Sequence, residues 1–312
     1  MKAIVASGYG SPDVLQLQDV EKPTPKNNEL LIKVHASTVT AGDHRMRSFD
    51  VPPAFWLPAR IALGFTRPKQ PIYGMELAGE VEAVGRDVTR FKPGDQVFAS
   101  TLTEKFGAHA EYKCLREQAM VAIKPANISF EEAAAIPIGA TTALRLLRKG
   151  NVQRGQKVLI FGASGSVGTY AVQLAKHFGA LVTGVCSTGG LEMVKSLGAD
   201  RVIDYTKEDV SAGRERYDII YDTVGKLPNA TVSSILAPNG VFVSMAKLDT
   251  KEHMDNLLFV KQLIEAGKLK AVIDRRYPLA QTAEAHRCVD AGRKKGNVVI
   301  MVQQPNGKGR TA

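Results

Sequence analysis

The run Val158-Leu159-Ile160-Phe161-Gly162-Ala163-Ser164-Gly165-Ser166-Val167-Gly168 constrains this chain most: an apolar strand breaks into a glycine-rich turn and resumes with helical periodicity. Such a turn leaves backbone amides unpaired at a helix N-terminus and puts no bulky side chain between them and a pyrophosphate. On the dinucleotide fingerprint the first glycine falls at Ala163, so the match is Ala163-x-Gly165-x-x-Gly168. A tight turn without a ligand would look the same in isolation. The setting favours the ligand, because a second apolar strand, residues 181–186, follows about 20 residues on, as in a βαβ unit.

That second strand ends in Gly184-Val185-Cys186-Ser187-Thr188. An NAD site carries an acid there for the ribose hydroxyls, and here Cys186 takes its place. With no carboxylate to repel a 2′-phosphate and two hydroxyls able to donate to it, NADPH is expected over NADH. Basic help is sparse, since Gly189-Gly190 follow and the nearest cation is Lys195. Cys186 itself reads as a small core residue closing a strand.

Upstream, short apolar stretches at 3–5, 15–18, 30–37, 79–84, 96–99 and 109–115, broken by Pro and Gly, predict a β-rich region. Ser129-Phe130-Glu131-Glu132 has capping-box spacing and opens a helical, then alternating, pattern. Strands at 157–161 and 181–186 and near Arg201, Ile219 and Val241, with helices at 167–178 and 191–197, predict a parallel sheet covered on both faces. After a helix at 257–266 come a strand at 269–274, a helix at 282–292 and a strand at 298–302, which leave the α/β repeat; residues 303–312 read as a frayed end.

The 312 residues suit two domains. Lys and Arg number 41 against 31 Asp and Glu, and residues 251–312 hold 12 basic and 6 acidic residues, so the surplus of ten lies mostly there. A basic balance admits nucleic acid, a membrane surface or a phosphorylated small molecule. Three cysteines without paired spacing, no signal-peptide pattern and no uncharged run able to span a bilayer predict a cytoplasmic protein with no membrane partner.

With these residues in hand, the chain resembles the medium-chain dehydrogenase/reductase superfamily, and within it the zinc-free NADPH:quinone oxidoreductase-like branch, over nearly its whole length. The resemblance is carried by Pro93-Gly94-Asp95-Gln96-Val97-Phe98, Phe106-Gly107-Ala108-His109-Ala110-Glu111-Tyr112, Ala133-Ala134-Ala135-Ile136-Pro137-Ile138-Gly139-Ala140-Thr141-Thr142-Ala143, Leu197-Gly198-Ala199-Asp200, Val202-Ile203-Asp204-Tyr205, Asp222-Thr223-Val224-Gly225 and Ile273-Asp274-Arg275-Arg276-Tyr277-Pro278-Leu279. It implies an α/β fold: a GroES-like β domain (residues 1–124), a Rossmann doubly wound parallel-sheet domain (125–268), and a return to the first domain (269–312). It also implies which residues meet NADPH. Ala163, Ser164, Gly165, Ser166 and Val167 would face the pyrophosphate; Ser187, Thr188 and Tyr205 the 2′-phosphate; Thr141, Asp222, Val224, Val243 and Ser244 the nicotinamide half.

Zinc-carrying relatives use a Gly-His-Glu segment and an early Cys, where this chain has Gly74-Met75-Glu76 and Thr40-Ala41-Gly42-Asp43. No three-ligand zinc site remains. The lone imidazoles His35, His44 and His109 read as surface or satisfied core groups. The resemblance then implies hydride transfer to a quinone or an α,β-unsaturated carbonyl, with Thr40 and Asp43 as the catalytic candidates; Asp43 and Arg47 could equally form a structural ion pair or a helix-start contact. Residues 49–70, rich in Phe, Leu, Ile and the single Trp56, predict either an acceptor lid or a packed surface helix. Ten residues between Ser244 and Asp255 leave little room for a sixth sheet strand and put the family's homodimer in doubt. Alternatives are an aldehyde or ketone reductase, or a non-catalytic NADPH-binding sensor. Nucleic acid is disfavoured, because the terminal basics alternate with acids and lack interleaved aromatics.

Overall fold

In the computed structural model, which describes residues 1–247 and 252–303, the chain begins with β1 (Lys2–Ala6), β2 (Leu15–Asp19), β3 (Glu29–Val39), α1 (Ala41–Ser48), α2 (Trp56–Leu63), β4 (Glu76–Val84), β5 (Gln96–Ser100), β6 (Tyr112–Arg116), β7 (Val121–Ile123) and α3 (Phe130–Ala134). It continues with α4 (Gly139–Lys149), β8 (Lys157–Phe161), α5 (Ser166–His177), β9 (Leu181–Cys186), α6 (Leu191–Ser196), β10 (Arg201–Asp204), β11 (Tyr217–Asp222), α7 (Asn229–Ile235), β12 (Leu236–Ser244) and α8 (Met254–Glu265). It closes with β13 (Ile273–Pro278), α9 (Thr282–Asp290) and β14 (Asn297–Met301). The expected frayed tail lies, beyond Gln303, outside the described residues.

Two units result, 1–138 with 273–312, and 139–272. The first boundary falls at Ile138 rather than at 124. β7 is still paired with β5, and the Ile138 amide donates to Glu76 Oε2 at the head of β4 (2.8 Å). The second falls at Val272 rather than at 268. The Lys270 amide donates to Gln173 Oε1 on α5 (3.0 Å), which holds this stretch to the second unit, so the strand expected at 269–274 starts at Ile273.

In the first unit a seven-stranded sheet runs β13-β14-β3-β4-β5-β7, with β6 also on β3 and the hairpin β1-β2 separate. β3 is its spine. It pairs antiparallel with β4, from Leu30↔Val84 to Ser37↔Leu77, and with the C-terminal β14, from Val298↔Val39 to Met301↔Ala36. Alternate residues Leu30, Ile32 and Val34 pack with Leu77, Val81, Val97, Leu115, Val298 and Ile300 into one core. The strand expected from His109 begins only at Tyr112, because His109 turns inward and its Nε2 meets the Thr38 carbonyl (2.9 Å). Residues 53–63 form a 3-10 turn and α2. The Arg60 guanidinium lies over the rings of Phe49 (3.8 Å) and Tyr9 (4.6 Å), leaving Phe55, Ile61 and Phe65 60–65% exposed. A helix does form there, but its large apolar side chains face outward.

The second unit is the parallel sheet β10-β9-β8-β11-β12, five strands among the described residues, each pair in parallel register. Chain order steps outward from β8 to β9 and β10, then crosses to β11 and β12 on the other side. The carboxyl ends of β8 and β11 therefore flank a switch point, where a doubly wound sheet opens a crevice.

Candidate functional site

Everything at the switch point follows from how closely the glycine turn must pack. Gly162 leaves β8 at φ +81°, a conformation costly for any side-chain-bearing residue, and Thr223 Oγ1 donates to the Phe161 carbonyl (2.8 Å) from the end of β11. A Cβ on Gly168 would run into the Gly162 carbonyl, so helix α5 can lie against the turn only with glycine there. Gly165 is the N-cap of α5 and has no side chain to close over the first amides. Ala163 is buried in the turn, while Ser164, Gly165, Ser166 and Val167 are partly exposed around it. The result is an open, amide-lined cradle at the positive end of a three-turn helix, fit for a phosphate group. Gly162 and Gly168 shape this cradle as much as the residues expected to line it.

The neighbouring strand ends carry a group that the sequence reading passed over. β9 and β10 pair with Cys186 opposite Asp204. Burial pushes the Cys186 thiol up to about 11, which leaves it protonated and inert at neutral pH. Asp204 accepts from Thr188 Oγ1 (2.5 Å), from Thr206 Oγ1 (2.6 Å) and from the Thr206 amide (3.0 Å). Those hydroxyls hold its carboxyl below the usual carboxylate range. The expectation that no acid stands near the second strand's end is therefore corrected: one arrives from the third strand, and it engages the Thr188 hydroxyl that was expected to meet a 2′-phosphate. Tyr205 is half exposed beside Phe161, with ring centroids 6.3 Å apart. Both border a cleft of about 440 Å³ lined also by Thr206, Lys207, Leu227 and Pro228. Phe161, Tyr205, Leu227 and Pro228 give it one apolar side that suits a planar aromatic ring, while Lys207, Glu208 and Asp209 line it with charge.

Across β11, Asp222 is buried and organises the following loop. Its Oδ1 accepts from the amides of Val224 (3.0 Å) and Gly225 (2.7 Å), its Oδ2 from the Leu227 amide (3.0 Å) and from Ser244 Oγ (3.4 Å). Asp222 thus aims Val224, exposed beside Gly162, and ties β11 to the end of β12, where Val243 and Ser244 are buried. Thr141 is buried in α4.

The first unit gathers the remaining candidates. Thr40 caps α1 in a capping box: Thr40 Oγ1 accepts from the Asp43 amide (3.1 Å), and Asp43 Oδ2 accepts from the Thr40 amide (2.8 Å) and hydroxyl (2.6 Å). Asp43 Oδ1 takes the Gly74 amide (2.9 Å). Asp43 therefore makes the helix-start contact, whereas Arg47 pairs with Asp290 (2.6 Å) and also reaches His286 Nδ1 (3.2 Å). His44 bonds the same Asp290 (2.6 Å), and His35 stacks on Phe130. Met75 packs into the space that a Cβ on Gly42 would occupy, 3.6 Å from Thr40 Oγ1. Glu76 accepts from Thr38 Oγ1 (2.5 Å) and the Ile138 amide (2.8 Å), and full burial pushes its carboxyl up to about 7. A hydroxyl committed to a carboxylate, a thioether and a doubly bonded buried acid do not make a zinc donor set. Among the described residues no His, Cys, Asp and Glu cluster could hold a metal ion.

Residues 26–137 match the alcohol dehydrogenase GroES-like domain, and residues 166–273 and 248–300 match zinc-binding dehydrogenase models. A 2-methylene-furan-3-one reductase of Solanum lycopersicum is 36% identical over 96% of this chain and 79% of its own length. An NADPH-dependent alkenal/one oxidoreductase of Arabidopsis thaliana is 33% identical over 96% and 79%. The solved quinone oxidoreductase of Coxiella burnetii superposes with a TM-score of 0.86 at 30% identity, covering 97% of this chain and 99% of that one.

Proposed function

The chain belongs to the medium-chain dehydrogenase/reductase superfamily, and from that premise we propose that it is an oxidoreductase passing hydride from NADPH to a quinone or an α,β-unsaturated carbonyl without zinc. The observation that carries this reading is the open glycine cradle at the switch point, continuous in sequence with strand ends that border a cleft with an aromatic side. Relatives named for enone and quinone reduction support the acceptor class.

The cradle amides of Ala163–Val167 would hold the pyrophosphate, and Phe161, Tyr205 and Leu227 the adenine side. Asp222 fixes the loop that carries Val224 towards the nicotinamide ribose. Bound there, the cofactor supplies the hydride, and the protein supplies orientation and a dry site. An enolate or hydroquinone oxygen formed on the acceptor needs only a hydrogen-bond donor or water, so no metal Lewis acid is called for. Thr40 serves as a donor to that oxygen only if its hydroxyl leaves Asp43, which makes Asp43 a positioning residue for Thr40. The free thiols of Cys114, Cys186 and Cys288 suit a reducing compartment, as cytoplasmic residence requires.

A steady-state screen tests the reading: oxidation of NADPH and of NADH with 9,10-phenanthrenequinone, a long-chain enone and a simple aldehyde. Turnover is expected with the first two and should survive chelators. Faster turnover of the aldehyde would favour a carbonyl reductase, and NADPH binding without turnover of any acceptor would leave a nucleotide sensor.

A further inference from the structure

We propose that Asp204 restrains the preference for NADPH, supplying from the third strand the negative charge that the second strand's end lacks. The inference rests on the nucleotide site proposed above and deepens it. A threonine hydroxyl carries one proton to donate. Thr188 and Thr206 each direct theirs at the Asp204 carboxylate, at 2.5 Å and 2.6 Å, and their oxygens stand 3.2 Å apart. A 2′-phosphate arriving beside Thr188 therefore meets lone pairs and a carboxylate where the sequence alone offered donors. Ser187 and Tyr205 keep hydroxyls on this rim, and Lys207 Nζ, 3.9 Å from Asp204 Oδ2, is the neighbouring cation. A ribose 2′-hydroxyl carries no charge and can donate to the exposed Thr188 oxygen, whose own proton is committed to the buried Asp204 carboxylate behind it. Asp204 thus penalises the phosphate form and welcomes the hydroxyl form, which narrows the gap between the two nucleotides. It is a positioning residue as well, since releasing it would free Thr188 to turn.

The test is binding of 2′,5′-ADP and of 5′-AMP to the full chain by calorimetry, which reads the adenosine half without any turnover. Asp204→Asn keeps the shape, removes the charge and adds an amide donor. It should raise the affinity ratio of 2′,5′-ADP over 5′-AMP by about tenfold, the size of one screened like-charge contact. Thr206→Val, which withdraws one of the compensating donors and leaves the carboxylate barer, should lower the same ratio. A variant whose ratio stays within twofold of the wild type would overturn the proposal, and Thr206→Val decides alone if Asp204→Asn does not fold. Should neither probe bind the wild-type chain, the nucleotide site itself has failed, a result distinct from an unchanged ratio.

Discussion

At the scale of single residues, Glu76 shows how placement rewrites chemistry. On the page it is one carboxylate among many; at the head of β4 it is fully buried, with Thr38 and Ile138 as its donors. Desolvation outweighs those bonds, and the carboxyl keeps its proton up to about 7 against an ordinary 4.5. The sign follows by linkage. Between pH 4.5 and about 7 the folded chain binds the proton that the unfolded chain has released, so stability falls as pH rises through that window and levels off above it. Glu76→Gln removes the titration. Its melting temperature should therefore stay flatter than that of the wild type over the same window, measured by calorimetry at constant ionic strength. Parallel declines in the two proteins would show that another group carries the proton.

At the scale of elements, α2 turns large apolar side chains to solvent. Arg60 occupies the inner side against Tyr9 and Phe49, its guanidinium also donating to the Phe65 carbonyl (2.7 Å), so the short helix is locked with Phe55, Trp56 and Ile61 outward. Trp56→Ala tests the acceptor-lid alternative: recognition of bulky apolar acceptors by this face should raise KM for a long-chain enone several-fold more than KM for a small one, with kcat little changed. An equal effect on both acceptors would remove α2 from recognition. Elements of this kind also mark how far the sequence could be read. β8, β9 and α5 were legible because apolar runs, a glycine turn and helical periodicity are local signals. The inward turn of His109, the late start of β13 and the outward face of α2 were not, since each depends on a partner remote in sequence: the Thr38 carbonyl, Gln173 and Tyr9. Asp204 was visible as a residue but not as a site member. Only the parallel register that sets it opposite Cys186 brings its carboxylate to Thr188.

At the scale of the whole molecule, the two units differ in how the chain builds them. The unit 139–272 is continuous and contains every strand of its sheet, whereas the other borrows β13, α9 and β14 from the far end of the chain. β14 is no edge decoration, because it lies between β13 and the spine β3, and Val298, Val299 and Ile300 are fully buried. Together with Leu279 and Val289 these side chains contribute about 1.5–3 kcal/mol each on burial, a sum comparable to the whole net stability of an ordinary domain. A chain truncated after Val272 should therefore lose the first unit and keep the second. Limited proteolysis of that truncation is expected to leave a protected fragment near residues 139–272 that still binds NADPH, while residues 1–138 are digested. Survival of the N-terminal stretch would mean that β3–β6 and β3–β4 pairing suffices without its C-terminal neighbour, and that the return of the chain serves some purpose other than completing the core.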